Sequence, residues 1–154
     1  MVGASNFHNL IAMALGTLLH IHLRGTTCRV FISDMKVRIG DIFYYPDLLI
    51  SCDNHKTLSY FETEPKLIVE ILSPSTEARD RFEKRLNYQR IDSLQEYVLI
   101  AQDKLHVDIY RRQQNNWEIE KFTIGDSVHF RSIDYSFKIE AIYEDVIDLI
   151  GQET

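Results

Sequence analysis

Three charged residues could carry chemistry, Asp47, Glu70 and Lys84, and one of them, Glu70, stands where charge is costly. Glu70 lies inside KLIVEIL (66–72), a run that otherwise reads as a buried strand. Side chains alternate across a strand, so Leu67, Val69 and Ile71 share one face and Ile68, Glu70 and Leu72 the other. A carboxylate between two large apolar neighbours must be paired, protonated or bound to a cation. The alternative is a half-exposed face on which Glu70 makes a salt bridge. Asp47 opens PDLLISCD (46–53) and shares a face there with Leu49, Ser51 and Asp53. A Pro-Asp pair taken alone often marks only a turn or a strand entry. If the two strands pair, both acids can project onto one face. Two hard oxygen ligands placed so suit Mg²⁺, which is held by one or two carboxylates plus water and substrate phosphate.

The elements that must position these groups follow from patterning. NLIAMALGTLLHIHL (9–23) reads as an amphipathic helix with Leu10, Ile11, Ala14, Leu18 and Ile21 at helical spacing. It is too short to span a bilayer and lacks the basic start of a secretory signal. His20 and His22 then sit at the helix end, where polar or cationic groups suit the dipole, and not as metal ligands. CRVFISD, MKVRIG and PDLLISCD follow as strands, and KLIVEIL, the most apolar, is expected at the centre of the sheet. SPST starts a helix running from about Thr76 to Ile91. Its apolar stripe is Ala78, Phe82 and Leu86; Arg79, Arg81, Lys84, Arg85 and Arg90 are interleaved with Glu77, Asp80 and Glu83. Pairs such as Asp80 with Lys84 fit a solvated face. Lys84 falls away from the stripe, beside Asp80, Tyr88 and Ile91, from where it can lean toward the sheet. EYVLIAQ, KLHVDIYRRQ and NWEIEKFTI read as strands, the last two joined as a hairpin, and FKIEAIYEDVIDLI as a strand end with a short closing helix. Helix, strands, helix, strands gives an α/β or α+β sheet with helices against it.

Composition narrows the function classes. A chain of 154 residues fits one compact domain, and 45% hydrophobic with 26% charged residues is an ordinary globular balance. A formal net charge of −6 does not favour general nucleic-acid binding, so any such reading needs a local basic surface. Cys28 and Cys52 match no zinc spacing and are read as buried free thiols in a reducing cytoplasm. His8, His55, His106 and His129 are scattered without ligand spacing and are read as structural. Asp34 is read as either a neighbour of the metal site or a turn residue, and Trp117 as hairpin packing.

GASNFHNLI (3–11), CRVFISDMKVRIGDIFYYPDLLISCD (28–53) and LIVEILSPSTEARDRFEKRLNYQRIDSLQEYVLI (67–100) together resemble the Uma-two family of candidate restriction endonucleases, within the PD-(D/E)XK nuclease superfamily. The likeness runs from Gly3 to about Tyr110 and continues more weakly. YYPD, VEILSPST and the spacing Arg79-Asp80, Lys84, Tyr88 carry it in combination. It implies a restriction-endonuclease-like core, a mixed sheet flanked by helices, spanning 1–154 as one domain. It also implies a Mg²⁺-dependent phosphodiesterase acting on DNA, with Mn²⁺ as a substitute and room for a homodimer. By this resemblance Asp47 and Glu70 are the acids and metal ligands, assisted by the Ile71 carbonyl. The superfamily's lysine usually lies two residues after the second acid, where this chain has Leu72; Lys84 on the following helix takes its place, with Arg81 and Arg85 as the next candidates. Family members usually begin with an acidic strand and hairpin before the GAS segment, and VGASN here starts directly after Met1. The expectation is therefore a short member, whose alternative is an inactive nucleic-acid-binding or protein-interaction module.

Overall fold

The computed structural model describes residues 5–52 and 58–150. Asp53 and His55 lie outside them. Helix α1 (Asn6–Leu23) starts at Ser5, whose hydroxyl accepts from the His8 amide at 3.1 Å, an N-cap. Its buried residues are Ile11, Leu15, Leu19 and Leu23, one every four. The stripe expected from sequence is thus turned slightly about the axis, and Ile21 is exposed.

Strands β1 (Arg29–Ile32), β4 (Leu48–Ser51), β6 (Pro65–Leu72), β7 (Glu96–Ala101), β8 (Val107–Gln113) and β9 (Asn116–Phe122) form one six-stranded sheet in the order β1-β4-β6-β7-β8-β9. Only β6 and β7 run parallel; the other neighbours are antiparallel. KLIVEIL is central, as its continuous apolar run requires. A smaller sheet joins β2 (Lys36–Ile39), β3 (Ile42–Tyr44) and the two-residue β5 (Phe61–Glu62), and β10 (Ser127–Phe130) pairs with β11 (Tyr135–Lys138). Patterning did not resolve β3 and β5, which are too short to show a period. The β2–β3 turn places Gly40 at φ 58°, a conformation in which a Cβ is strained.

Each face of the large sheet is covered. On one, α1 and the C-terminal turns pack on Leu48, Ile50, Leu67, Val69, Ile71, Val98 and Ile100. On the other, Leu49, Ile68, Leu72, Tyr97 and Leu99 meet Tyr88, Ile91 and Leu94. The alternation expected along KLIVEIL holds, but its second face is buried, which removes the half-exposed alternative.

The segment following β6 is helical from α2 (Glu77–Arg79) through a π-helical turn (Asp80–Lys84) to α3 (Arg85–Tyr88). It is shorter than expected and oriented oppositely. Ala78 is exposed, and Phe82 and Leu86 are 62% and 59% exposed, whereas Asp80 and Tyr88 are buried. An α-helix advances about 100° per residue, so positions four apart drift by about 40°. A π turn advances less per residue and offsets that drift, keeping Asp80, Lys84 and Tyr88 in line over the sheet. The buried side is polar because it covers Glu70.

Cys28 and Cys52 form a disulfide beside the β1–β4 ladder, with Cα atoms 3.8 Å apart. This corrects the reading as free thiols. Strand pairing of Arg29 with Ser51 puts the two cysteines next to one another, which their separation of 24 residues does not reveal. Among the described residues no helix is long and apolar enough to cross a membrane.

Candidate active site

Leu48 pairs with Val69 in antiparallel register. Asp47 immediately precedes the first and Glu70 immediately follows the second, so the two acids face one another at the end of the β4–β6 ladder. Asp47 Oδ2 accepts from the Ile71 amide at 2.7 Å, which fixes the carboxylate over the strand. Its Oδ1 lies 2.9 Å from His8 Nε2, on the first turn of α1. Glu70 is 2% exposed. Its Oε2 is 3.1 Å from Lys84 Nζ and accepts from the Tyr88 hydroxyl at 3.1 Å. Lys84 Nζ is also 3.1 Å from Asp80 Oδ1, an ion-pair contact without hydrogen-bond alignment. The structure therefore brings Asp47, Glu70 and Lys84 into one crevice, and Lys84 does lean to the sheet beside Tyr88.

A tyrosine ladder supports this floor. Rings of Tyr44, Tyr88, Tyr97 and Tyr110 follow one another at centroid distances of 5.3, 5.3 and 6.3 Å. Each hydroxyl that is buried finds a partner, as buried Tyr requires: Tyr97 donates to the Asp80 carbonyl at 2.8 Å, and Tyr44 to Glu83 Oε2 at 2.8 Å. Asn87 in turn donates to the Tyr44 oxygen at 2.8 Å. The helical segment is thereby pinned at three points across the sheet.

Burial pushes the Glu70 carboxyl up to about 8; Lys84 opposes this, and the negative charges of Asp47 and Asp80 add to it. Asp80 is likewise raised by burial, with Lys84 pulling against it. Burial alone would lower the Lys84 amine, but Glu70 and Asp80 outweigh it and the net direction is up. His8 is raised chiefly by its hydrogen bond to Asp47, against the effect of burial. Near neutrality the cluster thus holds a proton on Glu70 and an ammonium on Lys84. With Glu70 protonated, Asp47 and Asp80 are met by the Lys84 ammonium and by His8, and a further cation entering here would favour the ionised form of Glu70.

That donor set fits a hard divalent cation. Among the described residues no three His, Cys, Asp or Glu side chains converge as a ready-made metal cage. Mg²⁺ needs none, since one or two carboxylates suffice when water and a phosphate complete its shell. Asp47 and Glu70 are the carboxylates that could hold such an ion, and the buried Asp80 Oδ1, without a hydrogen-bond partner, is a further oxygen whose charge Glu70 feels.

Sequence reasoning did not foresee the contact of His8 with Asp47, and it read Asp80 only as a partner of Lys84 on a solvated face. Asp80 had a signal, the stripe Asp80, Lys84, Tyr88 at intervals of four. His8 had none, being 39 residues from Asp47 and brought to it only by α1 crossing the sheet end. Two other histidines are held structurally: His22 Nε2 lies 2.8 Å from the Ile133 carbonyl and its ring stacks on Tyr135, and His129 Nδ1 is 2.7 Å from Ser136 Oγ. Asp34 lies in the turn between β1 and β2. Trp117 packs under the Arg112 guanidinium, 4.5 Å from its ring, on the β8–β9 hairpin.

Comparison with known proteins agrees with this architecture. The chain is 36% identical over 147 residues to the uncharacterized protein slr1290 of Synechocystis sp. (strain ATCC 27184 / PCC 6803 / Kazusa), covering 93% of this chain and 77% of that protein. It is 30% identical over 142 residues to the uncharacterized protein sll1609 of the same organism, covering 89% and 78%. A crystal structure described as "a putative nuclease belonging to DUF820" from Anabaena variabilis ATCC 29413 shares the fold at TM-score 0.78 and 19% identity, over 93% of this chain and 83% of that one. The family model described as "Putative restriction endonuclease" matches residues 1–138. The site built from Asp47, Glu70 and Lys84 therefore stands on a restriction-endonuclease-like fold, and the chain belongs to the Uma2 family.

Proposed function

We propose that this chain is a Mg²⁺-dependent nuclease that hydrolyses phosphodiester bonds in DNA, with Mn²⁺ as a working substitute. The observation that carries the reading is the convergence of Asp47 and Glu70 at one strand end with the Lys84 amine 3.1 Å from Glu70. Asp47, Glu70 and the Ile71 carbonyl would hold the metal. When bound, the metal supplies Lewis-acid stabilisation of charge on the phosphate and a nucleophilic water at neutral pH. The residues do the rest. Ile71 N–H fixes the rotamer of Asp47, so one ligand is preset. Glu70 would serve as a ligand in its ionised form, which a cation beside it would favour over the protonated form that burial imposes. Lys84, tethered between Glu70 and Asp80, is a point charge held beside the reacting phosphate. His8 can hold a proton next to Asp47 at the crevice mouth. The active chain is read as cytoplasmic and as a monomer or homodimer; the disulfide removes the free-thiol support for a reducing compartment.

The test is cleavage of supercoiled plasmid with Mg²⁺ or Mn²⁺, alongside calorimetric titration of each metal into wild type, Asp47→Asn and Glu70→Gln. Cleavage and metal binding should both be lost in each variant. Metal binding with no cleavage by the wild type would leave a binding module on this fold. Cleavage that survives both substitutions would place the chemistry elsewhere.

A further inference from the structure

A second charged cluster lies on the same face of the sheet. Glu70 pairs with Leu99 and Leu99 with Asp108, so Glu70 and Asp108 belong to one row, about 10 Å apart at two strand spacings. Asp108 is 1% exposed. Its Oδ2 accepts from Arg81 Nη1 at 2.9 Å and its Oδ1 lies 2.7 Å from His106 Nε2. Arg81 also reaches Glu77 through Nε at 3.4 Å. His106 stands at the start of β8, at the sheet end where β6 and β7 finish. That is the end at which open α/β sheets take their ligands.

The cluster is poorly explained as a stabilising device. Replacing a buried ion pair by apolar packing is often neutral or favourable, and the row already carries Leu99 between its two acids. What the arrangement does achieve is orientation. His106 and Arg81 occupy separate oxygens of one carboxylate, which holds the guanidinium plane. The Arg81 side chain stays 25% exposed, and among the described residues its Nη2 has no hydrogen-bond partner. Arg81 lies in the same π-helical turn as Asp80 and Lys84, and its anchor Asp108 stands in the same row as Glu70, so the guanidinium is held over the face of the sheet that carries the Asp47–Glu70 site. A chain of net charge −6 that must hold a polyanion needs a fixed cation at that place.

We propose that Arg81 binds a phosphate of the nucleic-acid substrate other than the one cleaved, with Asp108, itself held by His106, as its positioning residue. The proposal rests on the nuclease reading for the identity of the ligand. The test uses a short labelled DNA duplex without divalent metal, so that binding is read apart from cleavage, by fluorescence anisotropy across a salt series. Arg81→Ala should weaken binding about ten-fold and flatten the salt slope by about one. Arg81→Lys should keep the slope but recover only part of the affinity, since an ammonium lacks the fork. Arg90→Ala, in the exposed turn after α3, should bind like wild type to within about two-fold. Asp108→Asn separates positioning from charge. It makes the protein less acidic, so simple electrostatics predicts tighter binding, whereas loss of positioning predicts binding several-fold weaker. If Asp108→Asn fails to fold, the Arg81 pair decides. Unchanged affinity and slope in Arg81→Ala, or tighter binding by folded Asp108→Asn, overturns the proposal, as does a wild type that does not bind DNA. A wild type that binds with the expected salt slope but cuts with neither Mg²⁺ nor Mn²⁺ defeats the nuclease reading alone, and a ten-fold loss in Arg81→Ala then still supports the phosphate contact.

Discussion

Glu70→Gln should make the metal-free protein more stable at neutral pH, although it removes a residue of the proposed site. The carboxyl moves from its ordinary 4.5 to about 8 on folding because it is buried beside Asp47 and Asp80. Between those values the unfolded chain has released its proton and the folded one has not. Stability therefore falls as pH rises above 4.5, and the full penalty is present above about 8. One pH unit corresponds to about 1.4 kcal/mol, so the penalty is roughly 3 kcal/mol at pH 7 and nearer 5 above pH 8. Glutamine keeps an oxygen for Lys84 and Tyr88 and never ionises. For a domain of this size the gain at pH 7 corresponds to about 5–10 °C in Tm. The assay is thermal unfolding of both proteins in chelator from pH 5 to 9. The two curves should meet near the acid end and separate steadily toward pH 8. A lower Tm for Glu70→Gln at pH 7, or parallel curves, would refute burial as the dominant influence and make the Lys84 salt bridge the reason for the glutamate.

Three further outcomes follow from the geometry. Lys84→Ala should leave metal affinity intact or raised, since a neighbouring positive charge is gone, while plasmid cleavage drops by roughly 10²–10³, the cost of one preorganised electrostatic group. Phe82→Ser should change stability by less than about 0.5 kcal/mol in chemical denaturation, because the side chain faces solvent; a loss above about 2 kcal/mol would show it in a core. Cys28→Ser should cost about 3 kcal/mol, the loop-closure effect expected for a bridge across some 24 residues, read as a lower denaturation midpoint that reductant reproduces in the wild type but not in the variant.

The legible parts of this molecule were those with a strong period or a strong local conflict. KLIVEIL announced both its central position and its misfit glutamate, and the alternation of its faces survives in the structure. Asp47 was legible as a strand entry and became informative only through pairing with β6. Lys84 could be placed off the apolar stripe, yet the stripe itself was assigned to the wrong side. Hydrophobicity alone cannot show that a helical segment will turn its polar groups inward to satisfy a buried acid and the hydroxyls of Tyr44 and Tyr97. Contacts between remote segments left no trace either: His8 on Asp47, Cys28 on Cys52 and Arg81 on Asp108 each join parts of the chain that only the tertiary fold brings together. The short strands β3 and β5 owe their existence to neighbours, not to propensity.

The widened turn at Asp80–Lys84 makes the crevice a matter of chain length as well as residue type. Deleting one residue there would return the segment to plain α periodicity. Tyr88 would then shift by only about 30°, because seven α steps nearly match the present four π and four α steps; the same deletion made in α3 would instead rotate everything after it by about 100° around the axis. In that second case Tyr88 would leave Glu70, and a neighbour would arrive in its place, with the composition of the segment almost unchanged. Divergence among copies of this fold can therefore silence or re-aim the site by a single codon gained or lost, leaving every acid and the lysine in the sequence to suggest that nothing has happened.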